Sequence, residues 1–350
     1  TNVAYIAEEY NQYHDEIITQ DTTQDRDSET WESPDVSGSN LITTDIGYKG
    51  NNNSNDLSSN DTYYKGEQDD DDFEKIIILP ESFDLSLRKN ITKVLDANGE
   101  EKNISDRTPV EETENLDAGT ETTAEYKHRK DAVAVDNGDT VEYNISIYNE
   151  GSIDGVATII RDQLPQGLKL KLSAFDTENG EYFVTSIKEN IYKVTYNEDA
   201  NLVTFEIDET KTTNKYLLKA HEIGQELEKD IITLQCTVEC KANDEQNTFL
   251  TNIAYIYEAE QEDGTIVTNQ VAGTEKGPEA DRDSQPHTYP NETSEELKTI
   301  GDIGYTGKED ITSLEDPNTY YEGEQDDDDF EKLVILPEVF DLSLRKYITE

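Results

Sequence analysis

Residues 137–170 read NGDTVEYNISIYNEGSIDGVATIIRDQLPQGLKL, and this stretch decides the fold class. Val141, Tyr143, Ile145 and Ile147 alternate with Glu142, Asn144 and Ser146, the period of two that belongs to a half-buried β-strand. Asn137-Gly138 and Glu150-Gly151 supply turns at its two ends. The same alternation returns in NIYKVTYNEDANLVTFEID (190–208), DIITLQCTVEC (230–240) and NTFLTNIAYIYEAE (247–260). Asn179-Gly180, Glu198–Asn201 and Asp263-Gly264 punctuate these runs. About ten short strands so spaced predict a two-sheet sandwich, because a lone sheet would leave one apolar face wet. Helix is scarce; HEIGQELEKD (221–230) reads as a short turn at most.

The 350 residues carry 29 basic and 80 acidic side chains, a formal charge of -51. Such a surface repels nucleic acid and anionic membranes and attracts cations. Hydrophobic residues make up only 33%, gathered in the middle, so one folded domain between polar connectors is expected. There is no methionine, and neither a signal peptide nor a membrane span is recognisable, so a piece of a longer chain is expected. Cys236 and Cys240 stand about 13 Å apart if both lie on one strand, beyond disulfide reach. They read as reduced core thiols, and the four histidines form no zinc spacing with them.

Internal repetition is the strongest signal. TNVAYI from Thr1 returns as TNIAYI from Thr251, and DRDS from Asp25 returns from Asp281. From Thr62 to Lys93, 26 of 32 positions match those from Thr319 to Glu350. The organisation expected is therefore closing strands of a preceding repeat over 1–24 and an acidic linker over 25–82. A sandwich follows over 83–273, then a second acidic linker over 274–339 and the first strand of the next repeat over 340–350.

NGDTVEYNISIYNEG, DQLPQGL, IITLQCTV and TNIAYI together resemble an immunoglobulin-like repeat of Gram-positive cell-surface proteins, long filed as a domain of unknown function. FDLSLRKYIT after an acidic stretch is similar to the lead-in strand of such repeats in clostridia and their relatives. The resemblance covers 83–273. It implies an all-β, immunoglobulin-like β-sandwich repeat flanked by extended acidic linkers, in an extracellular surface fibre, stalk or adhesin. Its partners would be adjacent repeats of the same polypeptide and identical chains in a filament, with no nucleic acid and no membrane contact.

Three polar residues fall on apolar faces. In FDLSLRKNI, Lys89 shares its parity with Phe83, Leu85, Leu87 and Ile91, while Arg88 has the parity expected of a solvent-facing base. Asn252 falls in line with Leu250, Ala254 and Ile256, and Asp162 with Ile160 and Leu164. Desolvation disfavours the charged form of both lysine and aspartate, leaving an amine nucleophile and a proton-carrying acid. Immunoglobulin-like domains of Gram-positive pilins and adhesins carry self-formed isopeptide bonds built from such a trio. The resemblance implies Lys89 as nucleophile, Asn252 as electrophile and Asp162 as the acid, with Lys346 and Asn2 as half-pairs of neighbouring repeats. Glu142 is a weaker acid, having the opposite parity to Val141, Tyr143 and Ile145. The competing reading is a snorkelling lysine and an asparagine at a bulge.

The acidic motifs admit two readings as well. A run of aspartates is ordinarily a self-repelling spacer. Hard oxygen ligands at close spacing also suit Ca²⁺, with Asp25, Asp27, Asp69, Asp70, Asp71 and Asp72 as candidates in the first copy. Asp281, Asp283, Asp326, Asp327, Asp328 and Asp329 are their counterparts in the second. The basic cluster EYKHRKD (125–131) reads as a strand-edge patch, or as an intersubunit contact to acidic linkers. No nucleophile elbow, metal triad or phosphate loop points to an enzyme. A structural repeat is the first expectation, and a ligand-binding adhesin module recognising a host, glycan or surface partner is the alternative.

Overall fold

The computed structural model describes residues 81–242, 247–267, 281–282, 327–337 and 343–346. It also gives the backbone of four short strands nearer the start: β1 (Asn2–Tyr5), β2 (Glu9–Tyr10), β3 (Ile17–Ile18) and β4 (Asp71–Glu74). The chain divides into two units, Thr1–Leu79 with Ala118–Thr120, and Pro80–Asp117 with Glu121–Glu350. In the first, β1 pairs antiparallel with β4, and β2 with β3.

The second unit contains the sandwich. Its strands begin with β5 (Leu85–Leu95), β6 (Val110–Glu112), β7 (Glu125–Lys127), β8 (Val133–Ala134), β9 (Thr140–Asn149) and β10 (Gly155–Gln163). There follow β11 (Leu168–Leu170), β12 (Asp176–Glu178), β13 (Glu181–Thr185), β14 (Ile191–Asn197) and β15 (Leu202–Ile207). β16 (Lys229–Val238), β17 (Thr248–Gln261), β18 (Ile266–Val267) and β19 (Asp328–Ile335) complete the set. The sole helix among the described residues longer than a 3-10 turn is α1 (Glu114–Asp117), and no described helix could cross a membrane.

One sheet has the order β11-β16-β9-β5; the other runs β12-β13-β14-β15-β10-β17-β19-β8, with β18 added to β17. Among the described strand pairs all are antiparallel except β19 with β8. Leu85, Leu87, Ile91, Val141, Tyr143 and Ile145 of the smaller sheet share one core with Ile160, Val203, Phe205, Ala254 and Ile256 of the larger. The all-β sandwich expected from the alternation is thus the fold that forms. Gly151 admits the close passage of the chain before β5, since a Cβ there would stand 2.6 Å from the Ser82 carbonyl oxygen and 2.7 Å from the Asp84 nitrogen.

Two expectations are corrected. The stretch 274–339 is not all linker: β19 within it is a sheet strand, buried throughout, that pairs with β17 from Thr248↔Ile335 to Tyr255↔Asp328. Leu333 and Ile335 enter the common core, while Asp329 and Glu331, on the same parity, reach β5. The second correction is Arg88, which is fully buried rather than solvent-facing. Its guanidinium lies 4.0 Å from the centre of the Tyr126 ring, because the segment carrying β7 covers the outer face of β5. Tyr126 in turn donates to Glu150 at 2.5 Å and shares a 2.9 Å hydrogen bond with Ser86.

Candidate functional site

Lys89 sits on β5 opposite Ile145 of β9, at the seam where the smaller sheet faces β10 and β17. Its ammonium is bonded to Asp162 Oδ2, and both side chains are fully buried. Asp162, on β10, stands opposite Ala254 of β17. Asn252 lies two residues before Ala254 and so on the same face. It too is fully buried. The structure therefore brings the three sequence-predicted residues to one place.

Neither carboxamide atom of Asn252 has a formed hydrogen bond, although the Asp162 carboxyl and the Tyr143 hydroxyl both lie close enough to act on it. A buried amide left in that state costs about 1–3 kcal/mol. Burial pushes the Asp162 carboxyl up, against the opposing pull of Lys89 and of Asn252. A raised carboxyl in contact with a buried amine is poised to exchange one proton with it.

Two further residues complete the pocket, and their parity in the sequence marked them only as core. Tyr143, on β9, places its ring centre 4.9 Å from Lys89 Nζ, and its buried hydroxyl has no formed hydrogen bond. Cys236, on β16, is free and buried; burial, then the charge of Asp162, pushes its thiol up, so it stays protonated. Glu142 faces away, accepting from Thr92 Oγ1 at 2.9 Å and Gln235 Nε2 at 2.8 Å. Lys346 is exposed, and of Asn2 only the strand backbone is described.

The second assembly at this seam was not legible as a site. β19 runs alongside β5 in the same direction, and its carboxylates take the edge amides that β9 leaves free. Lys89 N donates to Asp329 Oδ2 at 2.7 Å, and Ile91 N to Glu331 Oε1 at 3.2 Å. Further along the same edge, Leu85 N donates to Asp281 Oδ2 at 3.2 Å, and Arg282 pairs with Asp84 at 2.6 Å. Buried cations answer the acids. Arg107 donates from Nε and Nη2 to the two oxygens of Glu331 at 3.0 and 2.8 Å, and Lys130 Nζ reaches Asp329 at 2.7 Å. Lys130 also donates to the Phe330 carbonyl at 2.7 Å. The basic cluster thus meets an acidic segment of its own chain.

These contacts correct part of the calcium reading. Asp329 is occupied by Lys130 and a backbone amide, and Asp281 by another. Asp328 and Asp329 are successive strand residues on opposite faces, so they do not form one ligand set. Among the described residues no group of three His, Cys, Asp or Glu could hold a metal ion. Asp25, Asp27, Asp69, Asp70, Asp283 and Asp326 lie outside the described residues, and of Asp71 and Asp72 only the strand backbone is described. Asp327 is buried at the head of β19.

His128 lies fully buried in this charged seam, Nε2 3.6 Å from Asp329, with neither ring nitrogen hydrogen-bonded. Burial first, then the charges of Lys130, Arg88 and Arg107, hold its pKa well below the usual value. The folded state therefore refuses a proton that the unfolded chain takes up near pH 6.5, so stability falls as pH drops through that value. Between pH 7.5 and 5.5 this contribution amounts to about 1.4 kcal/mol. In urea titrations at the two pH values, His128→Gln should show a smaller acid-induced loss than the parent chain. An equal loss would assign the effect to other groups.

No family model matches the chain, and no curated protein matches it. Among solved structures it is similar to the collagen-binding domain from a Staphylococcus aureus adhesin, at 17% identity and a TM-score of 0.21 over 35% of this chain and 75% of that one. It is also similar to BcpA, the major pilin subunit of Bacillus cereus, at 9% identity and a TM-score of 0.24 over 51% of this chain and 44% of that one. The collagen adhesin of S. aureus gives 17%, 0.20, 35% and 38% in the same order. The chain thus spans less than half the length of the latter two.

Proposed function

We propose that this chain is a structural repeat of an extracellular bacterial surface fibre, stalk or adhesin, stabilised by a self-formed isopeptide bond between Lys89 and Asn252. The observation that carries the reading is the fully buried Lys89–Asp162 pair beside an Asn252 carboxamide with no formed hydrogen bond. A lone buried ion pair is weak grounds for stability, and a buried amide that Asp162 and Tyr143 approach without a well-formed hydrogen bond adds little to it. Both features acquire a purpose if the amide is a reactant.

The reaction balances without a co-reactant. A proton passes from the Lys89 ammonium to Asp162, giving a neutral amine and a neutral acid. Nζ attacks Cγ of Asn252, and its electron pair forms the new C–N bond as the carbonyl π pair moves to Oδ1. Asp162 gives its proton to Nδ2 and recovers one from the attacking nitrogen. The Cγ–Nδ2 bond breaks, ammonia leaves and the carbonyl reforms. Glu331 is not free for the acid's part, because Arg107 and the Ile91 amide occupy its two oxygens.

Tyr143 supplies the remaining group, a hydroxyl donor for the oxygen that becomes negative in the tetrahedral intermediate. Tyr143→Phe should slow bond formation about 100-fold while leaving the fold intact. Mass spectra taken at intervals after refolding measure this; unchanged kinetics would remove Tyr143 from the mechanism. The bond itself is tested by digestion. The parent chain should yield one branched peptide joining the segments around Lys89 and Asn252, and Asp162→Ala should yield two linear ones. Linear peptides from both chains would refute the assignment.

A further inference from the structure

We propose that the cleft between β5 and β17 is a strand-acceptor site for an acidic β-strand, and that the Asp69–Leu79 segment of a second copy of this chain can occupy it in place of β19. The proposal does not depend on the Lys89–Asn252 bond.

The cleft recognises its occupant by features that the segment carries with it. One wall is the backbone of β17, paired with eight residues of β19. The other is the edge of β5, whose amides at Lys89 and Ile91 accept no strand and are met by carboxylates. Arg107 and Lys130 supply buried positive charge for Glu331 and Asp329 in a chain whose formal charge is -51. An apolar strand would leave Lys130 buried without a carboxylate and Arg107 with Asp131 alone, at 3.3 Å, and a basic one would add to the positive charge. The partner that fits has carboxylates two residues apart followed by alternating apolar residues.

The chain contains that pattern twice. DDDDFEK is identical at 69–75 and 326–332, and IIIL follows where LVIL follows the second copy. The first copy also selects the same kind of partner strand in the same register. Asn2 pairs with Glu74 and Val3 with Phe73, as Asn252 pairs with Glu331 and Ile253 with Phe330. Recognition therefore belongs to the segment rather than to its position. Among the described residues β1 and β4 share four pairs, whereas the cleft offers eight pairs and two buried cations, twice the described pairing length.

The resident strand competes through its tether. Residues 268–327 join β18 to β19 in sequence, with Asp281 and Arg282 held at the edge of β5, and a strand tethered within its own chain competes at an effective concentration on the order of 1 mM. Exchange between copies thus becomes appreciable where chains are held side by side at similar density, and it would link them in series.

The test uses a peptide of residues 66–80 with a photoreactive phenylalanine analogue at position 73, added to the intact chain and to Asp329→Asn/Glu331→Gln. That variant weakens the resident strand and keeps Arg107 and Lys130. The peptide should label β17 around Ile253 in both, half-saturating near 1 mM in the parent chain, the tether's effective concentration. In the variant, half-saturation should come at a peptide concentration at least tenfold lower. Absence of labelling from both folded proteins would overturn the proposal, as would equal labelling by a scrambled peptide of the same composition. If the variant fails to fold, labelling of the parent chain at millimolar peptide decides alone. The mass of each sample also reports whether ammonia has been lost, so failure of strand uptake and failure of the covalent bond are read separately.

Discussion

Lys89→Met should melt about 10–20 °C below the parent chain from loss of the cross-link alone, and lower still from a second effect. A bond between residues 89 and 252 closes a loop of about 160 residues, and the chain-entropy model assigns such a closure about 5 kcal/mol. For a domain of this size each kcal/mol corresponds to about 2–4 °C. The second effect is the loss of a hydrogen-bonding partner. Without the Lys89 side chain, the buried Asp162 carboxyl loses the nitrogen that faces it, and a buried polar group left without its partner costs about 1–3 kcal/mol. Lys89→Met/Asp162→Leu removes that penalty and keeps the loss of the cross-link. Calorimetry of the three proteins separates the effects. A double variant as stable as the parent would mean that the bond contributes nothing.

Pulled from its ends, the chain should extend short of its contour length by about 550 Å, because the residues between the cross-linked positions cannot straighten, at roughly 3.3–3.6 Å per residue. The position of the bond sharpens this expectation. Lys89 lies on the first strand of the sandwich, but Asn252 lies on β17, and the chain continues to β19 before leaving the sheet. Force that enters at β5 and exits beyond Ile335 therefore bypasses the core through the cross-link, yet must first act on β19. That strand runs parallel to β5 and would be loaded from its opposite end, so its buried ion pairs are sheared together rather than peeled singly. A small early extension from release of β19, followed by a stop, is the predicted trace. Lys89→Met should recover the missing length, and full extension of the parent chain would contradict the cross-link.

The sandwich and the reactive trio were readable because both follow from strand parity. Val141, Tyr143 and Ile145 alternate cleanly, and Lys89, Asp162 and Asn252 each interrupt an apolar row on the face that turns inward. What parity could not supply was the partner of each acid. Asp329 and Glu331 occupy the inward positions of β19, so alternation there looks like charge, and a charge run ordinarily means a solvated spacer. Their cations, Arg107 and Lys130, stand about 200 residues earlier in the chain. Arg88 misled for the same reason: Tyr126, which covers it, is nearly forty residues away and belongs to no strand beside it in the smaller sheet. The faithful repetition of DRDS and DDDDFEK was the available signal. Asp281, Arg282, Asp329 and Glu331 account for it, as groups that close the exposed edge of β5.

The central claim is decided by the intact mass of the purified, fully denatured chain at a precision that resolves one ammonia. One cross-linked sandwich predicts a mass lower than that of the sequence by a single NH₃, restored in Asn252→Ala once the substitution itself is allowed for. A parent chain at its full sequence mass would show that the Lys89 amine and the Asn252 amide remain separate groups.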